Sequence, residues 1–319
     1  MRVPSLDNDF PPRRLMTLTV LAILAAGVVG QEAALSQATD GADVWVCELD
    51  TTTGRSRRLF AAADLKDLGS ACYSPDGSRI AFDGLLPGRL GSSTSHVFVC
   101  RLDGSDRVDL GPGLLPSWSP RGRRLCLSRN SPEYGVWLMN ADGSDAELLD
   151  NRGWGARWSP DGRRIDYVRD VNGRPNLISW NLVEDERTAR FQPWPTPVQT
   201  PAAEQRITGR PAFAPDSRQL GFRLTQAGTH TLLLVDATGQ LTERLPHEHL
   251  QPDPAWLDDD RLVVTIGAAA PYRNQLYVLE ARGTGAPQPL AGQLPQRSNS
   301  HPSVSRDGRR VLYLSRPQR

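Results

Sequence analysis

The chain has 319 residues, 39% of them hydrophobic, and a formal net charge of +1 at neutral pH. That balance excludes a disordered tail and a strongly basic nucleic-acid binder, and the arginines are dispersed, mostly in repeated turns, rather than gathered on one face. The length accommodates two ordinary domains or one large closed all-β domain, and 28 glycines with 26 prolines suit a chain with many turns.

Taken from the start, Arg13 and Arg14 precede an uncharged, mostly apolar stretch, Leu15–Gly30, and a polar segment, Gln31–Asp40, follows. A basic region, a short apolar region and small residues in that order describe an export signal or a membrane anchor with its linker over residues 1–40. Sixteen residues is short for a spanning helix but not prohibitive, so a cleaved signal and a retained anchor both stay open. Ser36-Gln37-Ala38 is one plausible cleavage context. Either way residues 41–319 are expected outside the cytoplasm: periplasmic, at the cell surface or secreted.

The β pattern begins with Val44–Cys47 and Arg57–Phe60. A turn phrase then recurs before a short apolar strand: Ser74-Pro75-Asp76-Gly77, Ser119-Pro120-Arg121-Gly122, Ser159-Pro160-Asp161-Gly162, Ala214-Pro215-Asp216-Ser217, Leu257-Asp258-Asp259-Asp260 and Ser305-Arg306-Asp307-Gly308. The proline slot falls at 75, 120, 160, 215, 258 and 306, at intervals of 45, 40, 55, 43 and 48 residues. A repeat of that length marks a radial or linear array. Between Leu114 and Asp150 one unit resolves into strands Leu114–Ser119, Arg124–Ser128, Val136–Asn140 and Glu147–Leu149, bounded by turn residues. The slot before each turn holds Tyr73, Trp118, Trp158, Phe213, Trp256 and Val304, read as packing between neighbouring sheets. The last strands, His301–Ser305 and Val311–Leu314, lack a third and fourth partner, which Val44–Cys47 and Arg57–Phe60 supply. The expectation is an all-β, six-bladed β-propeller with four-stranded antiparallel blades, closed by N-terminal strands that complete the last blade and remove the free edge.

The turn phrase together with Val136-Trp137-Leu138-Met139-Asn140-Ala141-Asp142-Gly143 and Val97-Phe98-Val99-Cys100-Arg101-Leu102-Asp103-Gly104 resembles the repeat of the TolB-like six-bladed propellers, over roughly residues 43–315. The resemblance implies the fold more than an activity, because that superfamily spans scaffolds, regulators, peptidase-associated domains and some lyases. It is to the propeller without the N-terminal α/β domain of TolB itself. No Gly-x-Ser-x-Gly elbow of the propeller-bearing serine peptidases occurs, and the five histidines are scattered, unlike the histidine-rich metal site of the pectin-fragment lyases.

Propellers bind at the channel mouth, where the innermost strands converge. Three residues before each aromatic slot stand Ser70, Leu115, Gly155, Arg210, Asp253 and His301. If the first strand is innermost, they form one layer about the axis. Arg210, Asp253, His301 and Ser70 are therefore the candidate site for a small polar or anionic ligand, with His301 as a switchable group; a solvated ring with an Arg–Asp pair is the plainer alternative. The long unit from Glu184 to Gln205 is expected to be a loop between the third and fourth strands of its blade, with Phe191 and Trp194 as a docking arm or lid. His247 and His249 alternate on the loop before the fifth blade without a third metal ligand. Asp258–Asp260 can attract a hard cation but lacks the ordered spacing of a calcium loop. No cofactor is expected beyond the option of a divalent cation.

Cys47, Cys72, Cys100 and Cys126 permit three complete disulfide pairings in an exported protein, or are four small buried residues. The composite expectation is a non-catalytic extracytoplasmic propeller that docks a protein or a small ligand, with a metal-assisted lyase or hydrolase acting on carbohydrate as the alternative.

Overall fold

A computed structural model describes residues 43–88, 94–171, 174–182, 191–193, 205–236, 240–267, 274–282 and 285–317. The expected export segment and Trp194 lie outside the described residues. No helix among the described residues is long and apolar enough to cross a membrane.

Where the turn phrase keeps its serine, aspartate and glycine, it builds the first hairpin of the blade by a fixed hydrogen-bond set. The Ser74 hydroxyl donates to the Asp76 carboxylate at 2.5 Å and accepts the Arg79 backbone N–H at 2.9 Å. The Gly77 N–H closes the turn on the Ser74 carbonyl at 2.8 Å. Ser159 with Asp161 and Ser305 with Asp307 repeat the arrangement. The fourth residue of the phrase is left-handed, which glycine adopts freely; where Ser217 replaces it, φ is still +62°.

The chain opens with β1 (Trp45–Asp50) and β2 (Arg55–Ala61). Blade 1 is β3 (Asp67–Tyr73), β4 (Arg79–Leu85), β5 (Ser95–Arg101) and β6 (Val108–Pro112). Blade 2 is β7 (Leu114–Trp118), β8 (Arg124–Arg129), β9 (Gly135–Asn140) and β10 (Glu147–Asp150). Blade 3 is β11 (Gly153–Trp158), β12 (Arg164–Val171), β13 (Arg174–Leu182) and β14 (Phe191–Pro193). Blade 4 is β15 (Gln205–Phe213), β16 (Gln219–Gln226), β17 (Thr229–Asp236) and β18 (Leu241–Pro246). Blade 5 is β19 (Ala255–Trp256), β20 (Arg261–Gly267), β21 (Asn274–Glu280) and β22 (Gln288–Pro289). β23 (Arg297–Val304) and β24 (Arg310–Pro317) begin blade 6, and β1 and β2 finish it in the order β23-β24-β1-β2. All pairs are antiparallel, and β1 runs in register along β24 from Trp45 opposite Ser315 to Asp50 opposite Arg310.

The first strands are innermost: β3, β7, β11, β15, β19 and β23 each touch the next round the ring, and β23 touches β3. The core lies between blades. Trp118 of blade 2 packs with Ala81, Val97 and Val99 of blade 1 and with Leu125 and Leu127 of its own blade. Phe82 sits between Phe60 and Phe98, with centroids 5.5 and 5.4 Å away; such ring pairs contribute about 0.5–1.5 kcal/mol each beyond area burial. The arginine that starts a second strand lies over the aromatic slot of the next blade: Arg79 over Trp118, Arg164 over Phe213 and Arg310 over Tyr73. These cation–π contacts explain why arginine recurs in the repeat.

The excursion in blade 3 departs from expectation. Phe191 lies in a strand, not a loop: it opens β14, whose backbone pairs Leu182 with Phe191. A fourth strand of three residues leaves no alternating pattern for a reader of the sequence to detect.

Candidate functional site in the central channel

Five of the six inner strands lose register near the same place. The slips fall between Leu68 and Ala71, Leu114 and Ser117, Trp154 and Arg157, Thr208 and Ala212, and Ser300 and Ser303. This is the column three residues before the aromatic slot. Leu115, Gly155, Asp253 and His301 adopt φ of +58°, +69°, +68° and +56° there, and in β15 the turn is taken one residue early by Gly209 at +85°. A bulge bends the strand and frees backbone groups from the ladder. Left-handed leucine, aspartate and histidine are strained conformations of the kind that gather at functional sites.

The freed N–H groups are caught by buried side chains. One Asp83 carboxylate oxygen accepts the N–H of Ser70 and that of Leu115, both at 3.0 Å, linking blades 1 and 2. The carboxylate fits because residue 69 is glycine: a Cβ there would lie 1.8 Å from an Asp83 oxygen. The Ser128 hydroxyl takes the Gly155 N–H at 2.8 Å, joining blades 2 and 3. Arg223 occupies the equivalent position on β16, bonding the Leu250 carbonyl at 2.8 Å and the Thr208 hydroxyl at 2.9 Å. Asp83, Ser128 and Arg223 share one column, directly after the apolar residues of the second strand. That column is readable in the repeat but stands out only once the inner-strand bulges are known.

Of the expected site residues, Arg210 and Asp253 are in direct contact. The Asp253 carboxylate accepts the Arg210 backbone N–H at 2.8 Å and lies 3.4 Å from the Arg210 guanidinium, with both residues buried. Burial raises the Asp253 carboxyl, but Arg210 and Arg157 oppose it, so the net direction is down. His301 is half-buried beside them, its Nδ1 3.0 Å from the Ser300 hydroxyl. Burial, reinforced by the Arg316 cation, pushes the imidazole down to about 4. That shift favours the neutral imidazole at pH 7. Ser70 contributes its backbone N–H to Asp83. Burial pushes the Asp83 carboxyl up to about 6 despite its two N–H donors.

One residue missed in the sequence joins this group. The column immediately before the aromatic slot reads Cys72, Ser117, Arg157, Ala212, Ala255 and Ser303: five small residues and one arginine. Arg157 interacts electrostatically with Arg210 of blade 4, Asp253 of blade 5, Cys72 of blade 1 and Cys126 of blade 2. Arg157 stands on β11, one of the inner strands that follow each other round the axis. Its Nε is buried without a hydrogen-bond acceptor among the described residues. Gly155, two residues earlier, lets the Arg210 stem pass, since a Cβ there would stand 3.0 Å from Arg210 Cγ.

The remaining candidates lie elsewhere. The His247 N–H donates to the His230 carbonyl at 2.9 Å, and the His247 and His249 rings are 6.5 Å apart. Among the described residues no group of three or more His, Cys, Asp or Glu is arranged to hold a metal ion. Asp258 is engaged by the Arg261 guanidinium at 2.6 Å, and Asp259 takes the Asp216 N–H of the neighbouring turn at 2.9 Å. All four cysteines are free thiols; burial pushes Cys72 up to about 11 and Cys47, Cys100 and Cys126 up to about 12. A crevice of about 790 Å³ between the outer strands of blades 1 and 2, lined in part by Arg101, Asp106 and Val108, is remote from the channel.

Six four-stranded blades, the last completed by β1 and β2, define a six-bladed β-propeller, the fold of solved TolB structures. The chain is similar in structure to one assigned to TolB from Agrobacterium tumefaciens, with a TM-score of 0.64 at 18% identity, covering 87% of this chain and 99% of that one. It also resembles an oligogalacturonate lyase from Vibrio parahaemolyticus, with a TM-score of 0.50 at 12% identity over 86% of this chain and 98% of the lyase. In sequence it is 25% identical over 226 residues to the uncharacterized peptidase YuxL of Bacillus subtilis (strain 168), which spans 65% of this chain and only 31% of that peptidase. No protein-family model matches the chain.

Proposed function

We propose that this protein is a non-catalytic extracytoplasmic propeller that docks a protein or a small ligand at the mouth of its channel. The observation that carries the reading is the convergence of Arg210, Asp253 and His301, from three consecutive blades, with Arg157 beside them. The groups are suited to holding rather than to proton transfer. Asp253 is engaged by both the backbone and the guanidinium of Arg210, and His301 is held neutral far below neutral pH. The basic-then-apolar order of residues 13–30 supports export, with that segment as signal or anchor.

The test is a pull-down of native partners with the full exported chain, repeated with His301→Asn and Arg210→Gln. Loss of the captured partner in either variant, with unfolding unchanged, supports the reading. Capture that is indifferent to both substitutions overturns it.

A second reading rests on the likeness to the oligogalacturonate lyase over nearly the whole of both chains: a metal-assisted lyase or hydrolase acting on carbohydrate in the channel. It requires a stoichiometric divalent ion near His301 or His249. Metal analysis of the purified protein separates the two, and a tightly bound ion there displaces the binding-only reading.

A further inference from the structure

We propose that the channel binds a carboxylate ligand through Arg157. The inference rests on the reading of the channel as a binding site and names the chemistry of what is bound.

The charge pattern points this way. Four guanidiniums and three carboxylates gather near the inner-strand bulges. Arg316 pairs with Asp67 at 3.1 Å and Arg210 with Asp253 at 3.4 Å. Arg223 is satisfied by the Leu250 carbonyl and the Thr208 hydroxyl. Asp83 spends one oxygen on two backbone N–H groups. The buried Nε atoms of Arg157, Arg210 and Arg316 all lack a hydrogen-bond acceptor, but Arg210 and Arg316 have carboxylate partners and Arg157 has no ion pair among the described residues.

The nearest candidate counter-ion by strand register is Asp166, directly opposite Arg157 on β12. Asp166 instead accepts a hydrogen bond from Ser179 and lies in the field of Arg164. Arg157 forms no ion pair with it and lies within electrostatic range of Arg210, Asp253 and the Cys72 and Cys126 thiols. Burial and the Arg210 cation both disfavour the Arg157 charge. A desolvated guanidinium without a partner is costly, and a carboxylate meets it with paired, charge-assisted hydrogen bonds. The surplus is one positive charge, which one monoanionic carboxylate neutralises.

The other five blades place Cys, Ser or Ala in the Arg157 column, so Arg157 is the single long, charged side chain there. The carboxylate can belong to a free organic acid or to the C-terminus of a peptide. Both present the same two oxygens, and the test has an arm for each.

The experiment uses the purified full chain with sodium glutarate, sodium galacturonate, and a short peptide carrying either a free or an amidated C-terminus. Sodium chloride at matched ionic strength is the control. Thermal unfolding and isothermal titration are read for the wild type and for Arg157→Ser, which restores the residue type of Ser117 and Ser303. A saturable rise in midpoint of about 2–4 °C is expected with at least one carboxylate. Chloride should give none, and Arg157→Ser should weaken binding about 10–100-fold. Response to the free but not the amidated peptide, without response to the acids, selects a chain terminus. The reverse selects a small acid.

Arg157→Ser should fold with an unchanged or raised midpoint in the absence of ligand, because it removes an unpaired charge. A lowered midpoint that Asp166→Asn corrects would make Arg157 a structural partner of Asp166 and overturn the proposal. So would carboxylate binding retained in Arg157→Ser, or no carboxylate response in the wild type. If partner capture still depends on His301 and Arg210 when the carboxylate arms are flat, this inference fails and the binding reading stands. If capture is indifferent as well, both fail.

Discussion

Asp253 holds Arg210 at two points, accepting its backbone N–H at 2.8 Å while lying 3.4 Å from its guanidinium. The two residues come from adjacent blades, and each sits where its inner strand slips register or turns left-handed. The carboxylate therefore substitutes for a lost strand partner and neutralises a buried cation together.

Removing one partner of a buried pair leaves the other charge uncompensated, which costs about 3–5 kcal/mol. Asp253→Ala should lose that much in urea unfolding, with some of it from placing alanine at φ +68°. Asp253→Asn keeps an oxygen for the Arg210 N–H and tolerates the left-handed backbone, so it should cost clearly less. Adding Arg210→Met to Asp253→Ala should recover part of the loss. Additive losses in the double variant would show that the pair is not coupled.

Asp83 gives a pH prediction of opposite character. Its native carboxyl is raised by burial from 3.8 to about 6. Between those values the folded state holds a proton that the unfolded chain has released, so the Asp83 contribution to stability falls as pH rises through that window. Asp83→Asn should remove this slope while keeping an oxygen over Gly69. Relative to the wild type the variant should gain on the order of 3 kcal/mol from pH 3.8 to above pH 6. Parallel stability curves for the two proteins across that range would refute the assignment.

Much of the architecture could be read because each local device repeats. The Ser-Pro-Asp-Gly phrase encodes its own hairpin, since serine and aspartate satisfy the turn before any tertiary contact forms. The incomplete ends announced the closure that β1 and β24 make. The site was only half legible. Arg210, Asp253 and His301 stood out as polar residues in one column. Arg157 does not, because its column carries small residues in every other blade and shows no polar pattern. Asp83 and Ser128 grip the next blade through backbone N–H groups, and no side-chain pattern in the sequence marks a backbone partner. Phe191 was misplaced because a three-residue strand has too few positions to show alternation.

His301 supplies a second pH test with the reverse sign. Its imidazole is lowered from 6.5 to about 4 by burial and the Arg316 cation, against the opposing pull of Asp253. Below pH 6.5 the unfolded chain takes up a proton that the folded chain refuses until about pH 4. Stability should therefore fall as pH drops through that interval, by up to about 3 kcal/mol. His301→Asn suits φ +56° and should lack this component. An NMR titration showing the His301 ring protonating near pH 6.5 would refute it directly.

The ring closure can be tested by removing its last two strands. β1 and β2 cover the β24 edge, and Glu48 of β1 also accepts the Tyr73 hydroxyl of blade 1 at 2.7 Å, with Arg310 3.7 Å away. Val46, Cys47 and Leu49 are buried in two different inter-blade clusters. Deleting residues 1–61 would expose a bare strand edge and the apolar sides of blades 1, 5 and 6 at once, a template for association. The truncated chain should lose cooperative unfolding and oligomerise with rising concentration, as read by light scattering. A synthetic peptide spanning residues 43–62 should restore the monomer by adding β1 beside β24. A peptide carrying Leu49→Asp should not, since it would bury an unpaired carboxylate in the blade 5–blade 6 interface. A truncated chain that stays monomeric and melts like the full chain would show that the ring does not depend on this closure.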